Sequence, residues 1–146
     1  MVILSKFAEN MLALMQEHNL SASALAKIIN VDRSNIARYL RGEKLPGNAS
    51  FIKIIEYFNV SADVLIGRLE YCDAQTFLPV QPFKVTLRKA LEETHTSQYA
   101  IQKNLYFSSA TTYAWLYGLR VPSVTHLVQL ADYMDVTMDY LLGRIL

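Results

Sequence analysis

The residues best suited to chemistry lie in one short stretch, residues 27–44. It holds five basic side chains against two acidic ones, so its local charge is +3 in a chain whose formal net charge is only +1. The basic residues are Lys27, Arg33, Arg38, Arg41 and Lys44, and the acidic ones are Asp32 and Glu43. A guanidinium group can form two hydrogen bonds to a guanine edge, and an asparagine amide can do so to adenine. The stretch therefore predicts either a nucleic-acid surface or an ordinary solvated helix face.

A helix over residues 33–40 is needed to align these side chains. Ile36, Tyr39 and Leu40 recur at helical spacing and are expected to face inward. The opposite face then presents Arg33, Ser34, Asn35, Ala37 and Arg38. Asp32 is expected to cap the start of this helix, and Arg41-Gly42 to end it.

A second helix and a tight turn precede it. Ser21 is expected to cap this helix, which carries Leu25. Small Ala26 allows two helices to cross closely, Asn30 tolerates positive φ in the turn, and Ile36 locks the third helix onto the second. This spacing is typical of a helix-turn-helix.

The pattern Leu-Ala-x-x-x-x-Val-x-x-Ser-x-Ile-x-x-Tyr-x-x-Gly…Pro, from Leu25 to Pro46, resembles the Cro/C1-type (Xre-like) helix-turn-helix family. The tail Asn-Val-Ser-x-Asp-x-Leu-Ile-Gly, residues 59 to 67, looks like the usual ending of that family. The resemblance covers residues 5 to 68 and implies a five-helix, λ-repressor-like DNA-binding unit.

The resemblance also implies a role for each polar residue. The third helix would enter the major groove, with Arg33 and Arg38 on guanines and Asn35 on adenine. Residues after that helix and at the start of the second helix would contact phosphates. The expected DNA-binding residues are Ser21, Ser23, Lys27, Arg33, Ser34, Asn35, Arg38, Arg41 and Lys44.

The chain also matches itself at an offset of 76 residues. Residues 7–68 and 83–144 share 14 identities without a gap, including Gly42 with Gly118 and Pro46 with Pro122. Each copy reads as five short helices, and no alternating strand pattern appears. We therefore expect an all-α chain of two tandem units, with boundaries at 1–68, a connector at 69–81, and a divergent second unit at 82–146.

The second copy departs from the motif. Gln102, Tyr106 and Thr112 replace the small residue, the turn asparagine and the apolar lock. Trp115 is expected in the core, whereas Tyr113 and Tyr117 are expected at the surface, where exposed aromatics favour a protein interface. Three alternatives are open: a pocket for a small apolar effector, a decayed duplicate kept only for packing, and secondary DNA contact. In the last of these, Ser109 and Ala114 would be small contacts to bases. The residues for either role are Gln98, Ser109, Tyr113 and Tyr117.

The sequence gives little indication of a disulfide-bonded protein, a metalloprotein, an enzyme or a membrane protein. Cys72 is the single cysteine, so no internal disulfide or thiolate zinc site is expected. The three histidines lack nearby partners at metal-ligand spacing, and no phosphate loop or nucleophile elbow occurs. We expect no catalysis, no cofactor and no metal. No leader or membrane-length apolar run is found, which favours a cytoplasmic protein.

Two functions remain. The first is a sequence-specific transcriptional regulator, a repressor, that binds double-stranded DNA as a homodimer or as an intramolecular pseudo-dimer. The second is a protein-interaction module, antitoxin-like or a phage-derived adaptor, without strong DNA reading.

Overall fold

The computed structural model describes residues 2–73 and 76–145, with only the backbone described for Val2. Within these ranges the regular secondary structure is entirely helical, which confirms the predicted all-α class. The chain divides into two compact units, called here unit one (Met1–Phe77) and unit two (Leu78–Leu146). The helices of unit one are α1 (Val2–Glu17), α2 (Ala22–Ile29), α3 (Arg33–Leu40), α4 (Asn48–Phe58) and α5 (Ala62–Ile66). Those of unit two are α6 (Phe83–Glu93), α7 (Gln98–Leu105), α8 (Ser109–Leu116), α9 (Val124–Met134) and α10 (Met138–Leu141).

The core of unit one forms around α1 and α4. On α4, Phe51, Ile54, Ile55 and Phe58 lie on one face at helical spacing, and all four are buried as predicted. The α1 helix packs against α3 and α5, and Phe7 meets the ring of Tyr39 edge-on at 6.0 Å between centroids. This packing fixes α3 by its inner side and leaves its outer side to solvent.

The core of unit two is built around a different aromatic residue. Trp115 takes the place of Tyr39 and is only 2% exposed, as predicted for a core residue. Its ring contacts Phe83, Phe107 and His126, with centroids 5.0 to 6.3 Å apart. The same inner side of α8 is therefore fixed by a larger aromatic cluster.

Left-handed backbone positions recur in the two units at the same spacing as the helices. In unit one they are Asn19, Asn30, Gly42, Asn59 and Gly67, and in unit two His95, Tyr106, Gly118, Asp135 and Gly143. Each residue of the second set lies 76 positions after its counterpart in the first. Helix ends and turns are therefore set at matching points of the two units, although only the glycines are shared by type.

A buried ion pair closes each unit after its last helix. Asp63 pairs with Arg68 in unit one, and Asp139 pairs with Arg144 at 2.6 Å in unit two. The arginine backbone N–H also donates to the aspartate carbonyl at 2.8 Å in both units. The pair in unit two is the more deeply buried, since the Arg144 side chain is 1% exposed and that of Arg68 is 19% exposed.

The two units begin differently. The α1 helix starts at Val2, whereas α6 starts only after Pro82, which precedes the helix and donates no backbone hydrogen bond. Residues 78–81 instead run beside the last residues of unit two, with Leu78 N–H donating to the Arg144 carbonyl and Gln81 N–H to the Leu142 carbonyl. These residues fall within the connector predicted at 69–81.

Candidate nucleic-acid interface

The corner between α2 and α3 has the predicted geometry. The Ser21 side chain accepts a hydrogen bond from Ala24 N–H at 3.1 Å, which confirms it as the cap of α2. Asn30 adopts the left-handed conformation, with φ 56° and ψ 55°, and its N–H donates to the Ala26 carbonyl. The Ile36 side chain is fully buried and α3 packs against α2. The chain therefore turns within three residues, and the outer face of α3 points away from the core.

Two of the three predicted base-reading residues, Arg33 and Arg38, come together on that face, whereas Asn35 lies outside the depression that they line. Arg33, Ser34, Ala37, Arg38 and Arg41 line one shallow depression, here called the α3 face. Four of the five are exposed, and the fifth, Ala37, is half-buried. A helix with arginines at both edges and small side chains between them can approach a groove closely and still reach base edges.

The Glu43 carboxylate forms ion pairs with two of these arginines, Arg41 and Arg38. Arg41 donates from Nε and Nη2 to the two carboxylate oxygens of Glu43, at 3.1 and 3.0 Å. Arg38 Nε lies 3.6 Å from the same carboxylate. The hydrogen bonds from Arg41 lower the pKa of Glu43, and the same contact raises the pKa of Arg41. Glu43 therefore stays ionised at neutral pH and offsets part of the positive charge of the α3 face.

A hydrogen bond also joins the side chains of Asn35 and Lys44. Lys44 Nζ donates to Asn35 Oδ1 at 2.9 Å and lies 5.9 Å from the centre of the Tyr39 ring. Both side chains are half-buried. The bond orients the Asn35 amide, and it places the Lys44 charge beside α3 rather than free in the following loop.

The remaining predicted residues of unit one surround this surface. Ser23 and Lys27 are exposed one turn apart on α2, and Arg33 is exposed at the first position of α3. Asp32 stands at the N-cap position of α3 but its side chain makes no capping hydrogen bond, so its predicted capping role is wrong. Lys53, a residue outside the predicted set, donates to the Asn30 carbonyl at 3.2 Å and adds a cation beside the turn.

The matching corner of unit two keeps the backbone and changes the chemistry. Tyr106 takes the left-handed turn position with φ 61°, and its side chain is 92% exposed. Thr112 is buried and accepts a hydrogen bond from Gln102 Nε2 at 2.5 Å. The larger Gln102 thus reaches the hydroxyl that replaces Ile36, so the two departures compensate each other. Gln98 Nε2 also donates to Thr112, at 3.3 Å, and this predicted contact residue is exposed.

The outer side of α8 carries aromatic rings instead of charges. Tyr113 and Tyr117 are 51% and 57% exposed, and their rings stack with centroids 4.3 Å apart. We call these two residues the tyrosine stack. Ser109 is exposed at the start of the helix, whereas Ala114 is buried, so the expectation that Ala114 contacts bases is wrong. Among the residues described, no cluster of three or more His, Cys, Asp or Glu side chains could hold a metal ion.

Residues 11–65 match the model of a helix-turn-helix family. The match covers the last seven residues of α1, all of α2, α3 and α4, and α5 except Ile66, and it supports the Cro/C1-type resemblance of unit one. That family is a DNA-binding family rather than an enzyme family, so the match supports a DNA-binding transcription regulator. No significant match was found among curated proteins or solved structures. In residues 2–73 and 76–145, no helix has the length and apolar character needed to span a bilayer.

Proposed function

We propose that the protein is a sequence-specific transcriptional repressor of the cytoplasm, and that the α3 face of unit one reads the DNA major groove. The observation that carries the proposal is the convergence of Arg33, Ser34, Ala37, Arg38 and Arg41 on one exposed depression beside a helix-turn-helix corner. Repression would follow from occupation of the operator by such a unit.

The contacts fall into two groups. Arg33, Ser34 and Arg38 lie along α3 and would face base edges, which supply sequence preference. Ser21 caps the start of α2, and Ser23 and Lys27 lie on the helix. These three residues would face the sugar-phosphate backbone, which fixes the position of the unit. Asn35 would read adenine with the amide that Lys44 orients, and Lys44 would contact a phosphate with its other N–H groups. Arg41 would reach a phosphate by leaving Glu43.

We further propose that unit two is a divergent copy of unit one. The bounds of α7, α8 and α9 are those of α2, α3 and α4 shifted by 76 residues. The left-handed residues and the closing ion pair recur at the same interval. Unit two would then supply either the assembly contact of a homodimer or a secondary DNA contact of a pseudo-dimer, through Ser109 and the tyrosine stack.

The decisive experiment is selection of a random duplex library on the purified full-length protein, followed by sequencing. Two identical half-sites, about one helical turn apart, would indicate a homodimer that reads through unit one. Two unlike half-sites would indicate that both units read and that the chain forms its own pseudo-dimer. No enrichment at low salt would overturn the regulator function.

The salt dependence of the selected duplex provides a second measurement. If about four to six phosphates are neutralised, the slope of log K against log salt should be about −4 to −5. A flat response would contradict docking in a groove.

A second candidate is a protein-interaction module without strong DNA reading. The exposure of Tyr113 and Tyr117 favours it, because large aromatic side chains at a surface are enriched in protein interfaces. It would be supported by failure of the duplex selection together with a stable complex formed through unit two.

A further inference from the structure

The tyrosine stack is extended by a cation from a different helix. The Arg88 guanidinium of α6 lies 5.1 Å from the centre of the Tyr117 ring, and its Nη2 donates to the Leu116 carbonyl at 2.7 Å. Arg88, Tyr117 and Tyr113 therefore form a layered column that is anchored at the Arg88 end. In the described part of the chain, no further ring or cation lies against Tyr113.

A second cation, Lys84, lies on the same helix as Arg88. Lys84 stands one turn before Arg88 on α6, and its side chain passes over Gly118, so that Nζ lies 3.7 Å from the point where a Cβ of Gly118 would be. Among the residues that the structure describes, neither cation forms an ion pair with a carboxylate. Both charges are therefore available beside the exposed rings.

Comparison with unit one shows that the positive charge has a different source in unit two. Ala8 and Leu12 occupy the positions that match Lys84 and Arg88, and Arg41 occupies the position of Tyr117. Unit one thus carries its charge on α3 itself, whereas unit two carries rings on α8 and charge on the adjacent α6. This separation suits a ligand with flat apolar faces and negative charges at its edge.

We propose that the tyrosine stack, with Lys84 and Arg88, binds unpaired nucleotides of single-stranded DNA. A base would lie on Tyr113 and continue the column, and the flanking phosphates would pair with the two cations. A duplex fits less well for two reasons. Its bases are already stacked on one another, and the large Tyr113 side chain occupies the position at which unit one has the small Ala37, which allows close approach to a groove. A protein partner would leave the two unpaired cations unexplained. The choice of DNA rather than RNA rests on the proposed function of unit one.

The test is filter binding of a 12-nucleotide oligothymidine to the full-length protein, with a duplex measured in parallel. The double variant Tyr113→Ser/Tyr117→Ser should bind oligothymidine at least about tenfold more weakly. Lys84→Gln should weaken binding less and reduce the salt slope by about 0.7, the contribution of one phosphate on a single strand. Arg33→Ala/Arg38→Ala should leave oligothymidine binding unchanged while it removes specific duplex binding.

Tyr99→Ser is the matched control, because Tyr99 is also an exposed tyrosine of unit two but lies on α7 outside the column. It should leave oligothymidine binding within about twofold, and circular dichroism would verify that each variant is folded.

The proposal is overturned if the unmodified protein does not bind oligothymidine at low salt, or if the double tyrosine variant binds it as tightly as before. It is also overturned if that variant loses sedimentation mass while oligothymidine binding persists, since the rings would then form a protein interface. Failure of the duplex selection with oligothymidine binding intact would reject the function of unit one alone.

Discussion

The corners α2–α3 and α7–α8 have matching backbones and different surfaces. Both turn through a left-handed residue, Asn30 or Tyr106, and both bury an aromatic residue at the same place on the second helix. The outer side of α3 presents arginines, whereas the outer side of α8 presents the tyrosine stack. The positions of the helices therefore depend on turns, caps and inward side chains, and outward residues can change without moving the helix.

The largest effect is expected from removal of the charges that distinguish α3 from α8. Arg33→Ala/Arg38→Ala should weaken specific duplex binding by about 2–6 kcal/mol, since one bidentate arginine–guanine contact contributes about 1–3 kcal/mol. The measurement is a titration of the selected duplex, with sedimentation mass expected to stay unchanged. Ser109→Ala, at the position that matches Arg33, is the control, and it should change affinity less than twofold in a homodimer that reads through unit one alone. An equal loss from the control would mean that both units read DNA.

Of the two closing ion pairs, the more deeply buried one should contribute more to the free energy of unfolding. Asp139→Asn should lower the free energy of unfolding by about 3–5 kcal/mol, because it leaves the buried Arg144 charge without its carboxylate. Asp63→Asn should cost less, because the Arg68 side chain is partly exposed to water. Urea unfolding followed by circular dichroism measures both variants. A larger loss for Asp63→Asn would contradict the assignment of these costs to burial.

The contribution of the polar pair Gln102 and Thr112 to stability can be tested by restoring the residues that unit one has at these two positions. Gln102→Ala alone should lower the free energy of unfolding by about 1–2 kcal/mol, since it removes a hydrogen bond to buried Thr112. Gln102→Ala/Thr112→Ile recreates the Ala26 and Ile36 combination and should cost less than the two single changes added together. Strict additivity in this double-mutant cycle would show that the two positions are not coupled.

The smallest effect concerns the carboxylate that unit one has and unit two lacks. Glu43→Gln should strengthen duplex binding about threefold and steepen the salt slope by about 1, because Arg41 is released to a phosphate. The position that matches Glu43 in unit two is Leu119, and Leu119→Gln serves as the control. Weaker binding by Glu43→Gln would mean that Glu43 positions Arg41 for contact instead of competing for it.

The same pair defines a pH dependence. The pKa of Glu43 in the folded chain lies below its ordinary value of 4.5, so the pair with Arg41 is fully formed above that value. It is lost as the pH falls through the lowered pKa. Between pH 5 and 8, titration of Glu43 should therefore leave duplex affinity unchanged.

The sequence predicted the parts of the molecule that depend on local patterns. The apolar stripe of α4, the Ser21 cap and the left-handed Asn30 each follow from residue type and spacing, and the structure confirms all three. The surface position of Tyr113 and Tyr117 followed from their alignment with Ala37 and Arg41, and it is also confirmed.

The errors and omissions concern side chains whose partners are set by a loop or by a neighbouring helix. Glu43 reaches Arg41 and Arg38 only because the chain turns back at Gly42, and the bond from Lys44 to Asn35 depends on the same turn. Arg88 lies against Tyr117 because α6 packs on α8, a contact between residues far apart in sequence. A glutamate two residues after an arginine is the only sequence signal that could have indicated the first of these pairs.

The position of Trp115 has a spectroscopic consequence. It is the only tryptophan of the chain and lies in the core of unit two, in contact with Phe107 and the His126 ring. Tryptophan emission therefore reports the unfolding of unit two, whereas the helical signal reports both units. A difference between the two unfolding curves of the unmodified protein would give the stability of each unit without dividing the chain.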